Sequence, residues 1–207
     1  GATREEIDPV RFISNHSSGK MGFAVAEAAL ARGAEVTVVA GAATARPPAG
    51  ARTLSAISAE EMRDAVLREV AGATVFVAAA AVADYRPAAR AREKMKKSES
   101  ALTLTLEPTP DILAEVARNR RDGLLVVGFA AETERVLENA RDKLRRKNLD
   151  AVVANDLTQD GAGFDTETNV VTLLTRDREQ PAALPLMSKL DAAHRILDEV
   201  VRLRREG

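Results

Sequence analysis

Three groups of residues have types and spacing that could do chemistry. Ser17-Ser18-Gly19 runs into Lys20-Met21-Gly22, which brings two hydroxyls, a flexible backbone and a helix start together, a combination suited to an anion. A phosphate-binding P-loop would need glycine at 14 and serine or threonine at 21, where the chain has Ser14 and Met21. The dinucleotide fingerprint fails too. Only Gly19 and Gly22 are correctly spaced, and the next strand ends in Ala40-Gly41 with no acid for a ribose hydroxyl. A serine-capped helix that binds nothing would use the same residues.

The second group, Lys94-Met95-Lys96-Lys97, lies in the polar stretch 84–100, which also holds Ser98 and Ser100. It reads either as a solvated surface run or as a mobile basic flap over a polyphosphate. The third is Lys143 and Lys147, four apart and therefore on one helix face. They form a solvated helix end beside Arg146, or two ammonium groups that neutralise phosphates.

Single residues add to these. Asp84 can accept from a base, a ribose or an ammonium, or it can cap a loop. Phe129, at the end of an expected strand, is a base-stacking platform or a core ring. Asn15 can orient a carbonyl or carboxylate, or simply occupy a turn. No Ser–His–Asp or Cys–His set assembles. The chain has no cysteine and two histidines, His16 and His194, so no protein-held transition metal is expected. A hard cation would ride on substrate phosphates.

The elements that must position these groups follow from periodicity. Helical patterns cover about 20–32, stopped by Gly33, then 59–70 behind the capping box Ser58…Glu61, then 134–147 and 188–204. Thr109-Pro110 reads as an N-cap with proline in the first turn of a helix reaching Asn119. Short apolar runs at 36–40, 53–57, 75–80, 124–128 and 151–154 read as strands. Leu102, Leu104 and Leu106 alternate with polar residues as a half-exposed strand, and 169–174 as an edge hairpin. Strands separated by helices specify an α/β fold, a Rossmann-like doubly wound and mainly parallel sheet with a long flap loop, in a single domain over 1–207. Loop, helix and strand at the start form the second half of a βαβ unit. The first strand is therefore expected directly before Gly1, making this a fragment of a longer chain.

With 30 Lys+Arg against 31 Asp+Glu in 207 residues, no basic field favours nucleic acid. No apolar run is long enough for a membrane span, and no signal-peptide pattern opens the chain. A cytoplasmic enzyme is expected. Composition and spacing stop at an α/β domain that binds a phosphorylated ligand.

The segment Asp8-Pro9-Val10-Arg11-Phe12-Ile13-Ser14-Asn15-His16-Ser17-Ser18-Gly19-Lys20-Met21-Gly22 resembles the opening signature of phosphopantothenate–cysteine ligases. The resemblance continues, in family order, through Ala80–Arg86, Lys94–Lys97, Thr109–Ile112, Gly128–Thr133, Lys143–Asp150 and Ala154–Asp156. It implies a homodimeric ligase domain that follows a flavin-dependent decarboxylase domain in bacteria. Its substrates would be 4′-phosphopantothenate, L-cysteine and CTP, with Mg²⁺ accompanying the triphosphate. The nucleotide site carried over by position comprises Ala78, Ala79, Ala80, Asp84, Lys94, Pro110, Asp111, Ile112, Leu113, Phe129, Lys143 and Lys147. The resemblance assigns Asn15 to the acyl-cytidylate in the cysteine step, Lys94 to the flap, and Arg11 to the substrate phosphate or the dimer contact. Phosphate binding falls to Ser17, Ser18 and Gly19. Two alternatives are a nicotinamide-dependent oxidoreductase and a nucleotide-sensing module. The first lacks the glycine fingerprint, and its only tyrosine, Tyr85, has Ala89 rather than lysine four residues on.

Overall fold

Short β-branched runs alternating with amphipathic stretches set the architecture. The computed structural model describes residues 1–97, 100–159, 161 and 163–206; Ser98 of the lysine-rich loop lies outside them. In chain order the elements begin β1 Arg4–Glu6, β2 Phe12–Ser14, α1 Lys20–Ala31, β3 Thr37–Ala40, β4 Arg52–Ser55, α2 Ala59–Val70 and β5 Val75–Ala78. Next come β6 Tyr85–Pro87, β7 Leu106–Pro108, α3 Ile112–Arg118, β8 Leu125–Glu132, α4 Val136–Arg146 and β9 Ala151–Asp156. The chain closes with β10 Thr168–Asn169, β11 Val171–Thr175, β12 Ala182–Ala183, β13 Met187–Ser188 and α5 Lys189–Glu206.

The main sheet has the order β12-β11-β9-β8-β5. Strands β5, β8 and β9 run parallel, and β11 and β12 continue antiparallel to form the edge. A separate parallel pair, β3-β4, completes the α/β layer. Alternation along β9 sends Val152 and Ala154 to one core and Ala151 and Val153 to the other. The first core packs beneath α2, α3 and α4, and the second beneath α1 and α5. The sheet is thus wound on both faces, and each fully buried Val or Ile, such as Val152, Val153 and Ile196, contributes about 1.5–3 kcal/mol.

Polar groups fix the ends of these elements. The box at α2 forms as expected: the Ser58 hydroxyl accepts from the Glu61 N–H at 3.1 Å, and the Glu61 carboxylate accepts from the Ser58 N–H at 3.1 Å. Asp150, buried before β9, accepts from the Val126 N–H at 2.7 Å and from Arg120 at 2.6 Å. Arg176 adds a contact at 3.2 Å. At the opposite rim Ala2 and Ala42 exchange two backbone bonds of 2.8 Å, and the Ala81 N–H donates to the Gly1 carbonyl at 3.0 Å.

Several boundaries differ from expectation for local reasons. The α3 cap is Asp111, which accepts from the Ala114 N–H. The Thr109 hydroxyl is already committed to the Ala83 carbonyl, at 2.5 Å. Of the alternating leucines only Leu106 enters a strand, because its partner β6 is three residues long. Leu102 and Leu104 stay exposed. Strand β8 does not stop at Gly128; it continues through Phe129 to Glu132 against β9.

Candidate functional site

Strand β8 outruns β5, whose last paired residue, Ala78, faces Gly128. Phe129 therefore stands level with the rim of β5 although it is still within a strand. Its backbone carbonyl accepts from Lys143 Nζ at 2.6 Å. One turn further along, Lys147 reaches Asp111, with Nζ–O distances of 2.7 and 2.9 Å. Burial lowers the pKa of Lys143, the neighbouring Lys147 ammonium lowers it further, and the carboxylates of Glu132, Asp111 and Asp84 oppose this. For Asp111, burial pushes upward, but the Lys147 hydrogen bond, the Ala114 N–H and the charges of Lys147 and Lys143 prevail and hold it below the usual range. Tertiary structure thus brings Asp84, Asp111, Phe129, Lys143 and Lys147 into one electrostatic cluster. The crowded ammonium groups are poised to gain from an added anion.

The helix start at α1 is built differently from expectation. Its N-cap is Gly19, at φ +81°, and makes no side-chain cap bond. A Cβ there would meet the Ala43 methyl at 2.8 Å, so both backbone conformation and space require glycine. The Ser18 hydroxyl is buried and donates to the Phe164 carbonyl, so it is not the free phosphate donor that sequence suggested. Ser17 accepts weakly from the Gly19 N–H at 3.4 Å. Lys20 is likewise engaged, with the Asp165 carbonyl at 2.7 Å and Glu167 at 2.5 Å. What remains for an anion is the Ser17 O–H, which donates to nothing among the described residues, and backbone: the first-turn N–H groups of Met21 and Gly22 have no acceptor among them either.

A Cβ on Gly22 would lie 3.5 Å from the Ala79 methyl, so α1 sits directly against the end of β5. Ala78 and Ala80 pack against the first core. Asn15 donates to the Val82 carbonyl at 3.0 Å, which fixes it to the loop running from Ala80 to Asp84. Ile112 and Leu113 are buried in the core, which leaves them only backbone to offer a ligand, and Pro110 immediately precedes the Asp111 cap.

Lys94 is exposed, with no ion pair among the described residues. Arg11 contacts the Asp8 carboxylate at 2.8 Å and the Met95 carbonyl at 3.1 Å. A cavity of about 350 Å³ between α4 and residues 174–179 contains none of the candidates. Among the described residues no group of three or more His, Cys, Asp or Glu side chains is placed to hold a metal, and no helix is long and apolar enough to cross a membrane.

One residue of the resembling segment Ala154–Asp156 has no site role in the sequence reading. Asn155 is buried near the end of β9, and among the described residues its Oδ1 has no hydrogen-bond partner. Alternation places it on the face of Ala151 and Val153, the side that carries α1. An orphaned buried amide is costly and suits a ligand that donates to it. The available signal was an apolar strand ending in asparagine.

The DNA/pantothenate metabolism flavoprotein C-terminal domain model matches residues 1–203. The coenzyme A biosynthesis bifunctional protein CoaBC of Bacillus subtilis is 45% identical over 207 residues, covering 100% of this chain and 50% of that protein. Its Escherichia coli K12 counterpart is 46% identical over 204 residues, covering 97% and 50%. The chain thus spans about half the length of the curated relatives it matches. A crystal structure of a CoaBC C-terminal domain superposes with a TM-score of 0.83 at 39% identity, covering 100% of this chain and 93% of that one. A Cab2 H337A mutant complexed with phosphopantothenate-cysteine shares the fold, at a TM-score of 0.80 and 18% identity, covering 100% and 84%.

Proposed function

Because the chain belongs to the family of DNA/pantothenate metabolism flavoprotein C-terminal domains, we propose that it is a phosphopantothenate–cysteine ligase. It condenses 4′-phosphopantothenate with L-cysteine at the expense of CTP. The names of relatives at 45% and 46% identity place them in coenzyme A biosynthesis and call them bifunctional, which supports this reading. We assign the second activity, a flavin-dependent decarboxylase, to the other half of such proteins, and the working compartment to the cytoplasm.

The observation that carries the proposal is the Lys143–Lys147 pair beside Asp111, Asp84 and Phe129. A carboxylate resists attack by an amine until one of its oxygens becomes a good leaving group. In the first step the substrate carboxylate oxygen attacks the α-phosphorus of CTP, and pyrophosphate departs. Lys143 and Lys147, with Lys94 from the flap, neutralise the charge that collects on the leaving phosphates. In the second step the cysteine amine attacks the acyl carbon, CMP leaves, and the amide forms. Asn15, held on the Val82 carbonyl, orients the acyl-cytidylate for that attack. Phe129 and the backbone at Ala78–Ala80, Asp84 and 110–113 frame the nucleotide, and at the α1 start the Ser17 hydroxyl and the N–H groups of Met21 and Gly22, rather than Ser18, receive the substrate phosphate.

Of the three carboxylates in the cluster, Asp111 is paired with Lys147 and Glu132 accepts from Asn139, which leaves the exposed Asp84, a set that fits Mg²⁺ held by phosphates rather than by a protein cage. Bound that way, the ion would lower the charge on the triphosphate. A homodimer is favoured by the apolar side chains Val10 and Phe12, which a single chain leaves 58% and 45% exposed.

The test is pyrophosphate release from CTP, which should require 4′-phosphopantothenate, together with amide product that requires cysteine. NADH binding without any CTP binding would reverse the assignment in favour of an oxidoreductase.

A further inference from the structure

The root of the lysine-rich flap is stitched to the Glu6–Arg11 turn by four contacts. Arg90 pairs with Glu6. The Ala91 N–H donates to the Ile7 carbonyl at 2.9 Å. The Met95 N–H donates to Asp8 Oδ2 at 3.2 Å, and Arg11 reaches the Met95 carbonyl at 3.1 Å. Asp8 anchors this arrangement. It is 1% exposed, and its other oxygen accepts from the Val10 and Arg11 N–H groups at 2.8 and 2.9 Å. Its Oδ2 is shared between Met95 and the Arg11 guanidinium, the latter at 2.8 Å. Burial would raise its pKa, but the three backbone N–H groups and Arg11 hold it low.

A turn needs only the Oδ1 contacts, which form the usual Asx arrangement. Oδ2 binds a segment 87 residues distant, directly through the Met95 N–H and indirectly through Arg11, which also reaches the Met95 carbonyl, and that segment contains Lys94. We propose that Asp8 is a positioning residue: through Met95 and Arg11 it docks the flap root and sets where Lys94 stands. The same turn feeds β2, which ends one residue before Asn15, so the dock ties both proposed reacting groups to one buried carboxylate. This inference rests on the ligase reading for its catalytic consequence, but not for the dock itself.

The informative substitution is Asp8→Asn. The remaining carbonyl oxygen keeps the turn, while an NH₂ in place of Oδ2 faces two donors, Met95 N–H and Arg11. Tryptic cleavage after Lys94, Lys96 or Lys97 should accelerate while cleavage elsewhere and the thermal midpoint stay near the parent's. Acyl-cytidylate formation should slow on the order of 10²-fold, the scale of a displaced catalytic group. Combined with Lys94→Gln, the loss should be no greater than that of Lys94→Gln alone. Additive losses, or parental turnover despite faster cleavage, would overturn the positioning role. If Asp8→Asn fails to fold, amide exchange in the parent decides the dock: Met95 must exchange more slowly than Lys94, Lys96 and Lys97, and equal rates refute it. Absence of CTP-dependent turnover in the parent would remove the ligase reading, with cleavage and exchange still deciding the dock.

Discussion

Replacing Lys143 with methionine separates a charge kept for a ligand from a charge kept for the fold. Methionine preserves the apolar stem and removes the ammonium. Among the described residues that ammonium makes one hydrogen bond, to the Phe129 carbonyl at 2.6 Å. Burial and the nearby Lys147 both disfavour its charged form. Losing this charge-assisted hydrogen bond costs about 1.5–3 kcal/mol, and relief of desolvation and like-charge repulsion offsets most of it. Folding stability should therefore change by less than about 1 kcal/mol. Triphosphate binding loses a charge-assisted contact worth about 1.5–3 kcal/mol, so the CTP dissociation constant should rise roughly 10- to 150-fold. Calorimetric titration with CTP reads the first quantity that matters, and urea unfolding reads the second. An affinity within about threefold of the parent's would mean that the ammonium does not meet the phosphates. A stability loss above about 3 kcal/mol would mean that Lys143 is an ordinary structural cation.

Other outcomes follow from the same geometry. The lowered Lys143 pKa means that the unfolded chain binds this proton more tightly, so between the folded pKa and 10.5 stability should rise with pH. CTP affinity should fall across that window as the ammonium is lost, and Lys143→Met should flatten both profiles; a calorimetric pH series in parent and variant checks this. Asp150→Ala breaks a buried pair and strands Arg120 and the Val126 N–H. It should cost about 3–5 kcal/mol, or roughly 10 °C of thermal midpoint for a chain of this size; a loss under about 1 kcal/mol would mean the charge is well solvated. Asn15→Asp loses the donor to Val82 and puts a carboxylate where the proposed acyl-cytidylate would lie. Acyl-cytidylate should still accumulate in quenched reactions while amide formation slows, by on the order of 1–3 kcal/mol. Ser58→Ala should cost about 1 kcal/mol in urea unfolding without changing CTP affinity.

Features encoded within one turn or one strand were legible in the sequence. The Ser58–Glu61 box, the doubly wound order and the antiparallel edge needed only local pattern. The shared face of Lys143 and Lys147 was equally plain, but their Asp111 partner lies more than thirty residues away. Thr109 reads as a cap by every local rule, yet its hydroxyl is taken by Ala83, a tertiary competitor that no window contains. Phe129 was placed at a strand end because Ala130 and Ala131 carry little β signal; pairing with β9 extends the ladder regardless. Ser18 looked free for a ligand until Phe164 claimed it. Asp8 gave no warning of its burial, since the groups that stabilise its charge include an amide 87 residues on.

Gly19 has a bearing on how variant libraries of this domain are to be read. Its left-handed backbone and the Ala43 methyl 2.8 Å from any added Cβ strain every other amino acid there, whatever the pocket beside it does. Depletion at codon 19 in a growth selection would therefore register damaged architecture and carry no information about anion recognition. Chemistry at that helix start has to be interrogated through its amides, for instance by ester replacement at Met21 or Gly22, which deletes a donor and leaves every side chain in place.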